Sequence, residues 1–259
     1  GVVPAIYWII QMLTEIEDSV ALMSPVYYPF ANAIRDTSRT LVDVPLVKDE
    51  NGYYTMDLEN FEATVQKKDV KLFILCSPHN PVGRVWREEE LRNLLDVCRR
   101  NGVYVIADEI HHDLIMPGHR QITAATAGDY DSILITLTSA SKTFNLASCQ
   151  NAMAIIPNDA LRAKYDAMTR RIKTQSGSSF GYVAYEAAFR GGKEWLEQAI
   201  RLIYGNYQIL VKGLKQKLPE AVVSPLEGTY LAWVDLSAYL SERDTERTIR
   251  DVCNLAVDF

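Results

Sequence analysis

Three apolar runs, each stopping abruptly at polar and reactive residues, constrain the fold of this 259-residue chain more than any other feature. Lys71-Leu72-Phe73-Ile74-Leu75-Cys76 leads into Ser77-Pro78-His79-Asn80-Pro81-Val82-Gly83, and Tyr104-Val105-Ile106-Ala107 leads into Asp108-Glu109-Ile110-His111. Ile133-Leu134-Ile135 is followed closely by Thr138-Ser139-Ala140-Ser141-Lys142-Thr143-Phe144-Asn145. Short unbroken apolar runs bounded by turn signals have the pattern of strands buried on both faces, as in a parallel sheet covered by helices. In such a sheet, ligands bind beyond the carboxyl ends of the strands. Asn80, Asp108 and Lys142 are therefore expected to converge on one cleft.

The remaining segments alternate between strand-like and helix-like patterns, with no repeat, low-complexity tract or linker. Further strands are expected at Val20 to Met23, Thr40 to Val44 and Asn151 to Ile156, alongside Val70 to Cys76, Tyr104 to Asp108 and Ser132 to Thr136. Apolar residues spaced three and four apart predict helices over Leu58 to Lys67, Glu88 to Asn101 and Asp159 to Lys173. Further helices are expected over Ser176 to Arg190 and Trp195 to Lys217, the latter with a stripe of Leu196, Ile200, Ile203, Tyr207, Leu210 and Leu214. Two short strands split by Glu227-Gly228 and an amphipathic helix from Thr245 onward complete the pattern. The expected fold class is α/β, a mainly parallel sheet with helices on both faces, over residues 1–217. Residues 218–259 are expected to begin a smaller C-terminal α+β domain.

Composition narrows the function classes. A formal net charge of −6, with no run of like charges, gives no electrostatic footprint for nucleic acid. No apolar run is long enough to span a membrane, and no signal peptide is visible. The four cysteines, Cys76, Cys98, Cys149 and Cys253, have no CxxC spacing, and a reducing, cytoplasmic setting is expected.

Each candidate residue has a bland reading as well. A lysine following a serine is by itself an ordinary surface residue, whereas one at a strand end inside a cleft can attack a carbonyl to form a Schiff base. Asn80 sits in Asn-Pro-Val-Gly, a turn signal. Asp108 ends an apolar strand, where an unpaired buried carboxylate is costly and calls for a partner. Tyr27 and Tyr28, in Val26-Tyr27-Tyr28-Pro29-Phe30, read as core aromatics or as a platform for a flat ring. The cluster from Asp108 to Asp113 also admits a metal, but the adjacent His111 and His112 cannot both face one ion from a strand, and no spaced HxxxH or HxH pair exists. An ordered asparagine, a carboxylate and a lysine are the set that a pyridoxal phosphate (PLP) site requires.

Five stretches together resemble one family: Ser24-Pro-Val-Tyr-Tyr-Pro-Phe30, Ser77-Pro-His-Asn-Pro-Val-Gly83, Ala107-Asp-Glu-Ile-His-His-Asp113, Ser139-Ala-Ser-Lys-Thr-Phe-Asn145 and Gly228-Thr-Tyr-Leu-Ala-Trp-Val-Asp235. The chain resembles the PLP-dependent enzymes of the aspartate aminotransferase superfamily (fold type I), and most closely their cystathionine β-lyase branch, over essentially its whole length. The resemblance implies that Lys142 carries PLP, Asp108 pairs with the ring nitrogen, Asn80 bonds the 3'-oxygen and Tyr27 stacks on the ring. It also implies phosphate contacts from the helix start at Gly1-Val2-Val3-Pro4, chiefly the Val2 backbone, and from Ser139. Tyr28 is left as core. Arg170 and Arg171 are expected on solvated surface. Homodimers are the family's habit, and a homodimer is the expectation here.

Two departures from the aminotransferase pattern bear on the reaction. Three residues after the aspartate stands His111 where those enzymes have a tyrosine, and eight after the lysine stands Gln150 where they have an arginine on the phosphate. Both changes match the carbon-sulfur lyase branch. The implied activity is β-elimination from a sulfur amino acid, with Lys142 as the base that takes the α-proton, giving a thiol, pyruvate and ammonia. Transamination is the alternative. A third reading is a non-catalytic, truncated PLP-binding domain. Family members carry a segment before the glycine equivalent to Gly1 and an arginine beyond the position of Phe259, so the substrate anchors are expected outside this sequence and turnover by these residues alone is expected to be poor.

Overall fold

The structure, a computed structural model, describes residues 1–174 and 177–239. The helix expected from Thr245 onward lies outside the described residues. In chain order the elements are α1 (Val2–Leu13), β1 (Ser19–Leu22), α2 (Pro29–Asp36), β2 (Thr40–Asp43), β3 (Val47–Lys48), β4 (Tyr54–Thr55), α3 (Leu58–Lys67), β5 (Val70–Cys76) and α4 (Glu88–Arg100). There follow β6 (Tyr104–Asp108), β7 (Leu134–Thr138), α5 (Ala140–Thr143), β8 (Met153–Ile155), α6 (Asp159–Arg171), α7 (Ser179–Gly191), α8 (Lys193–Lys217), β9 (Val222–Val223) and β10 (Val234–Asp235).

Six strands form one sheet in the order β2-β1-β5-β6-β7-β8, parallel throughout except for β8, which runs antiparallel to β7. Alternation along β5 sends Leu72, Ile74 and Cys76 to one face, where they join a cluster with Ile6, Ile9 and Ile10 of α1 and Phe30 and Ile34 of α2. Phe73 and Leu75 go to the other face, against Phe61 of α3 and Leu91, Leu94 and Leu95 of α4. Every residue of β5 but Lys71 is buried, which is why its sequence shows no polar alternation. Fully burying each such side chain contributes about 1.5–3 kcal/mol.

The helices follow from the same logic. In α4 the buried residues Leu91, Leu94, Leu95 and Cys98 lie three and four apart. Three glutamates occupy its first turn and two arginines its last, matching the helix dipole, and Gly102 at φ 68 turns the chain out. α1 buries Val2, Ala5, Ile6, Ile9 and Ile10, then stops where Thr14 becomes extended and its Oγ1 donates to the Ile10 carbonyl at 2.6 Å.

Three expectations shift. β7 runs to Thr138, two residues beyond the expected end at Thr136, because its ladder with β6 extends to Leu137 beside Asp108 and its ladder with β8 to Thr138 opposite Met153. The stripe on α8 is only half-buried, and Leu210 is 38% exposed, because α8 packs chiefly on α7 and on the segment after it, with no fully buried residue. Tyr28 is 73% exposed and is not core: it caps α2 from the outside while its neighbour Phe30 takes the buried position.

Residues 222–235 are fastened to the sheet side by a buried charge cluster. Arg84 Nε donates to Glu227 Oε2 at 2.9 Å, and its Nη2 donates to both Glu90 oxygens at 2.9 Å. The Val85 N–H also donates to Glu227 Oε2, at 2.8 Å. Both the Glu227 and Gly228 N–H groups donate to the Gly83 carbonyl at 2.9 Å. Gly83 stands at φ 78, where a side chain is strained, and the Pro225 carbonyl 3.3 Å from where a Cβ would stand would crowd it further.

Candidate active site

Register brings the strand ends level. Cys76 pairs with Asp108, and Asp108 with Leu137, so the loops after β5, β6 and β7 open at one edge of the sheet. The Ser77 N–H donates to the Asp108 carbonyl at 3.0 Å and the Glu109 N–H to the Leu137 carbonyl at 2.8 Å, continuing the ladder one residue past the strands. A cavity of about 270 Å³ lies at this edge, walled by the start of α1, Tyr27, Asn80, Asp108, His111, Lys142 and Gln150. Val2 is part of that wall, so the cavity gathers all the sequence-predicted site residues except Ser139.

Ser139 faces elsewhere. It is the N-cap of α5, its Oγ donates to the Asn151 carbonyl at 2.9 Å, and it bonds the Tyr185 hydroxyl. It thereby fixes the turn that presents Lys142. Asn80 is held by its own N–H, which lies 3.4 Å from Cys76 Sγ.

Asp108 is 4% exposed, and its one side-chain hydrogen bond among the described residues comes from the Ile110 N–H, at 3.1 Å. Burial pushes its carboxyl up to about 7, against the opposing pull of that N–H and of the Lys142 charge. Burial pushes His111 down to about 4, helped by the charge of Lys142, so its imidazole is neutral at neutral pH. His111 Nδ1 is buried without a hydrogen-bond partner. An unpaired buried polar atom costs about 1–3 kcal/mol, which a ligand atom can relieve. Burial also raises the Tyr27 hydroxyl above its ordinary value, against the lowering effect of Lys142.

The start of α1 contributes the opposite electrostatics. Gly1 caps it with no side-chain hydrogen bond and its first turn holds no acid, leaving the Val2 and Val3 N–H groups for an anion. Gln150 stands beside this end in the left-handed region at φ 57. One end of the cavity thus suits a phosphate, and the other holds a carboxylate short of a partner. These features fit PLP: an N–H for Asp108, an oxygen near Asn80 and His111, and a phosphate at the uncapped helix.

A second chamber of about 630 Å³ adjoins the first and shares Tyr27, Asn80 and Lys142 with it. Pro25, Val26, Tyr28, Leu41, Tyr230 and Trp233 line its walls. The Tyr230 ring meets the His111 ring edge-on, centroids 5.4 Å apart. Cys76, Ile110, Ala147 and Tyr230 were not singled out from the sequence. Register signals the first, since Cys76 ends the strand beside Asp108; Tyr230 lies within the fifth family-like stretch. His112 turns away from His111, towards Asp113 and Thr138, and among the described residues no group of three or more His, Cys, Asp or Glu is placed to hold a metal. Arg170 and Arg171 are exposed.

A mainly parallel sheet with a lysine, an aspartate and an uncapped helix start converging at its carboxyl edge is an α/β arrangement suited to holding a phosphorylated cofactor. The chain belongs to the class I and II aminotransferase family, whose model matches residues 1–258. It is 37% identical over 249 residues to cystathionine beta-lyase PatB of Bacillus subtilis (strain 168), covering 95% of this chain and 64% of that protein. Cystalysin of Treponema denticola, solved with pyridoxal 5'-phosphate, superposes with a TM-score of 0.91 at 34% identity, over 95% of this chain and 63% of that one. A PLP-bound protein of Clostridium difficile 630 that carries an aminotransferase designation gives the same TM-score at 40% identity, over 95% and 64%. The chain thus spans a little under two thirds of the length of these relatives. Among the described residues no helix is long and apolar enough to cross a membrane.

Proposed function

We propose that this chain is the cofactor-holding part of a PLP-dependent carbon-sulfur β-lyase that acts on a sulfur amino acid. The observation that carries this reading is the meeting of Asn80, Asp108, His111 and Lys142 in one cavity beyond the strand ends. Similarity to PatB and to cystalysin supports the reading. Bound there, PLP supplies an electron sink through its protonated ring. Asp108 accepts that ring N–H, which converts a buried carboxyl raised to about 7 into a paired carboxylate. Tyr27 would hold the ring, Asn80 and neutral His111 would take the 3'-oxygen, and the Val2 and Val3 N–H groups with Gln150 would take the phosphate. Ser139 serves the phosphate end by fixing the α5 turn.

Lys142 Nζ would anchor the cofactor and, as a free amine, would take the α-proton as general base. Elimination would break the Cβ–S bond with its electron pair leaving on sulfur, and the proton held at Lys142 Nζ would leave with the thiol. Water converts the remaining fragment into pyruvate and ammonia. The aminotransferase alternative has the C. difficile relative in its favour, whereas a neutral His111 and an uncharged Gln150 favour elimination. Incubation with cystathionine separates the two: pyruvate in step with thiol supports the lyase, and conversion of the cofactor to its amine form with no thiol overturns it.

The same reading divides the chain into a cofactor-holding unit, 1–217, and the beginning of a second, 218–259, supported by the separate β9–β10 sheet. A homodimer is supported by Phe180, Val183, Leu202 and Ile209, which stand uncovered on α7 and α8. Cys76, Cys98 and Cys149 are free thiols, which supports a cytoplasmic setting.

A further inference from the structure

The loop that brings Asp108 and His111 to the cavity has a second face. His112 Nδ1 lies 2.8 Å from the Glu109 carbonyl oxygen and 2.9 Å from Thr138 Oγ1. Its Nε2 lies 3.2 Å from Asp113 Oδ2, and Thr143 Oγ1 donates to that same oxygen at 2.9 Å. Thr138 ends β7 and Thr143 ends α5, so residues on both sides of Lys142 are tied to one pair of residues in the neighbouring loop. Thr138 and Thr143 are buried, while the His112 and Asp113 side chains are about a quarter exposed, at 26% and 27%.

We propose that His112, Asp113 and Thr143 are positioning residues that hold the Lys142 turn at a fixed offset from Asp108. The proposal rests on the reading of Lys142 as the cofactor-bearing lysine. The cavity needs a lysine from the β7 loop and a carboxylate from the β6 loop in register with one small molecule, yet lysine's four-carbon stem is flexible. Between the β6 and β7 loops, sheet hydrogen bonds reach only to Glu109 N and the Leu137 carbonyl, and on its other side β7 pairs with β8 no further than Thr138, leaving Lys142 four residues past the sheet. The brace picks up beyond that point. A shift of about 1 Å at a reacting group costs on the order of a hundredfold in rate, so a brace of this kind has consequences well beyond its own hydrogen bonds.

The test uses PLP as the probe and reads the rate at which a borohydride-trappable adduct forms on Lys142. Melting temperature and hydrogen exchange of the Phe144 amide, which donates to the Ala140 carbonyl at 2.9 Å, are followed in parallel. Thr143→Val is expected to slow adduct formation about tenfold and to speed Phe144 exchange, while Thr143→Ser stays within about twofold of the unaltered chain. Asp113→Asn, at a partly exposed position where folding is not at risk, is expected to slow it as well, and its combination with Thr143→Val is expected to be no slower than the worse single variant. A lowered melting temperature with an unchanged adduct rate in Thr143→Val, or full additivity in the double variant, overturns the proposal. Should the unaltered chain form no adduct at Lys142, the cofactor reading fails. The exchange rate of Phe144 without PLP then decides the brace alone, with equal exchange in Thr143→Val and the unaltered chain overturning it.

Discussion

Asp108→Asn should stabilise the cofactor-free protein at alkaline pH while disabling the site. The carboxyl moves from 3.8 to about 7 on folding because burial penalises its charge. The folded state therefore holds a proton that the unfolded state has released between these two values, and stability falls as pH rises through that window. The full displacement of about three units corresponds to about 4 kcal/mol at most, and the share lost between pH 5 and pH 8 is about 3 kcal/mol. Asparagine cannot ionise and keeps an oxygen to accept the Ile110 N–H, so this share of the pH slope should vanish. Urea denaturation of both cofactor-free proteins at pH 5 and pH 8 measures it. The neighbouring Glu109 contributes to both proteins and largely cancels in the comparison. Added PLP should reverse the order, because ligand binding stabilises the original protein most where Asp108 is present to pair with the ring. Identical pH slopes in the two proteins would refute the claim that burial of Asp108 is uncompensated before the cofactor arrives.

Other substitutions test separate parts of the structure. Glu109 is raised to about 7 by burial and its Oε1 accepts the Ala124 N–H at 2.7 Å, so Glu109→Gln should remove up to about 3 kcal/mol of the loss on going to pH 8. Glu109 lies outside the cavity wall, so PLP affinity by absorbance titration should stay within about twofold, a change of under ~0.5 kcal/mol. Arg84→Met leaves Glu227 and Glu90 without their buried cation and should cost about 3–5 kcal/mol in urea denaturation. Phe61→Ala opens a hole between α3 and β5, where Phe61 meets Phe73 edge-on, and should cost about 3–5 kcal/mol with cofactor affinity unchanged.

Much of the fold was legible because β5 and β6 are buried on both faces and their apolar runs end at the functional residues. The apolar runs predict the ends of β5 and β6 to the residue. The expected strand stops at Thr136, two residues short, because Leu137 and Thr138 lead straight into the polar run from Ser139, and only the ladders to β6 and β8 make them strand. α1 and α2 bury strong apolar faces, yet the sequence reading reaches only the start of α1, through Gly1 to Pro4, and gives no helix over α2. The sequence drew attention to their proline and aromatic residues, and the spacing of Ile6, Ile9 and Ile10 went unused. Tyr28 was misplaced because adjacent aromatics in a short loop look alike until the start of α2 decides which one faces inward. The cavity residues were legible chiefly through motif resemblance. Arg84 and the His112–Asp113–Thr143 chain were not, because their roles arise from contacts between segments far apart in sequence.

The central claim is that Lys142 carries the cofactor. Incubating the protein with PLP, reducing with borohydride, digesting it and locating the added mass by peptide sequencing tests this directly. One label is expected, on the peptide containing Lys142, and it is absent in Lys142→Ala. Label spread across exposed lysines such as Lys68 and Lys193, and unchanged in Lys142→Ala, would contradict it.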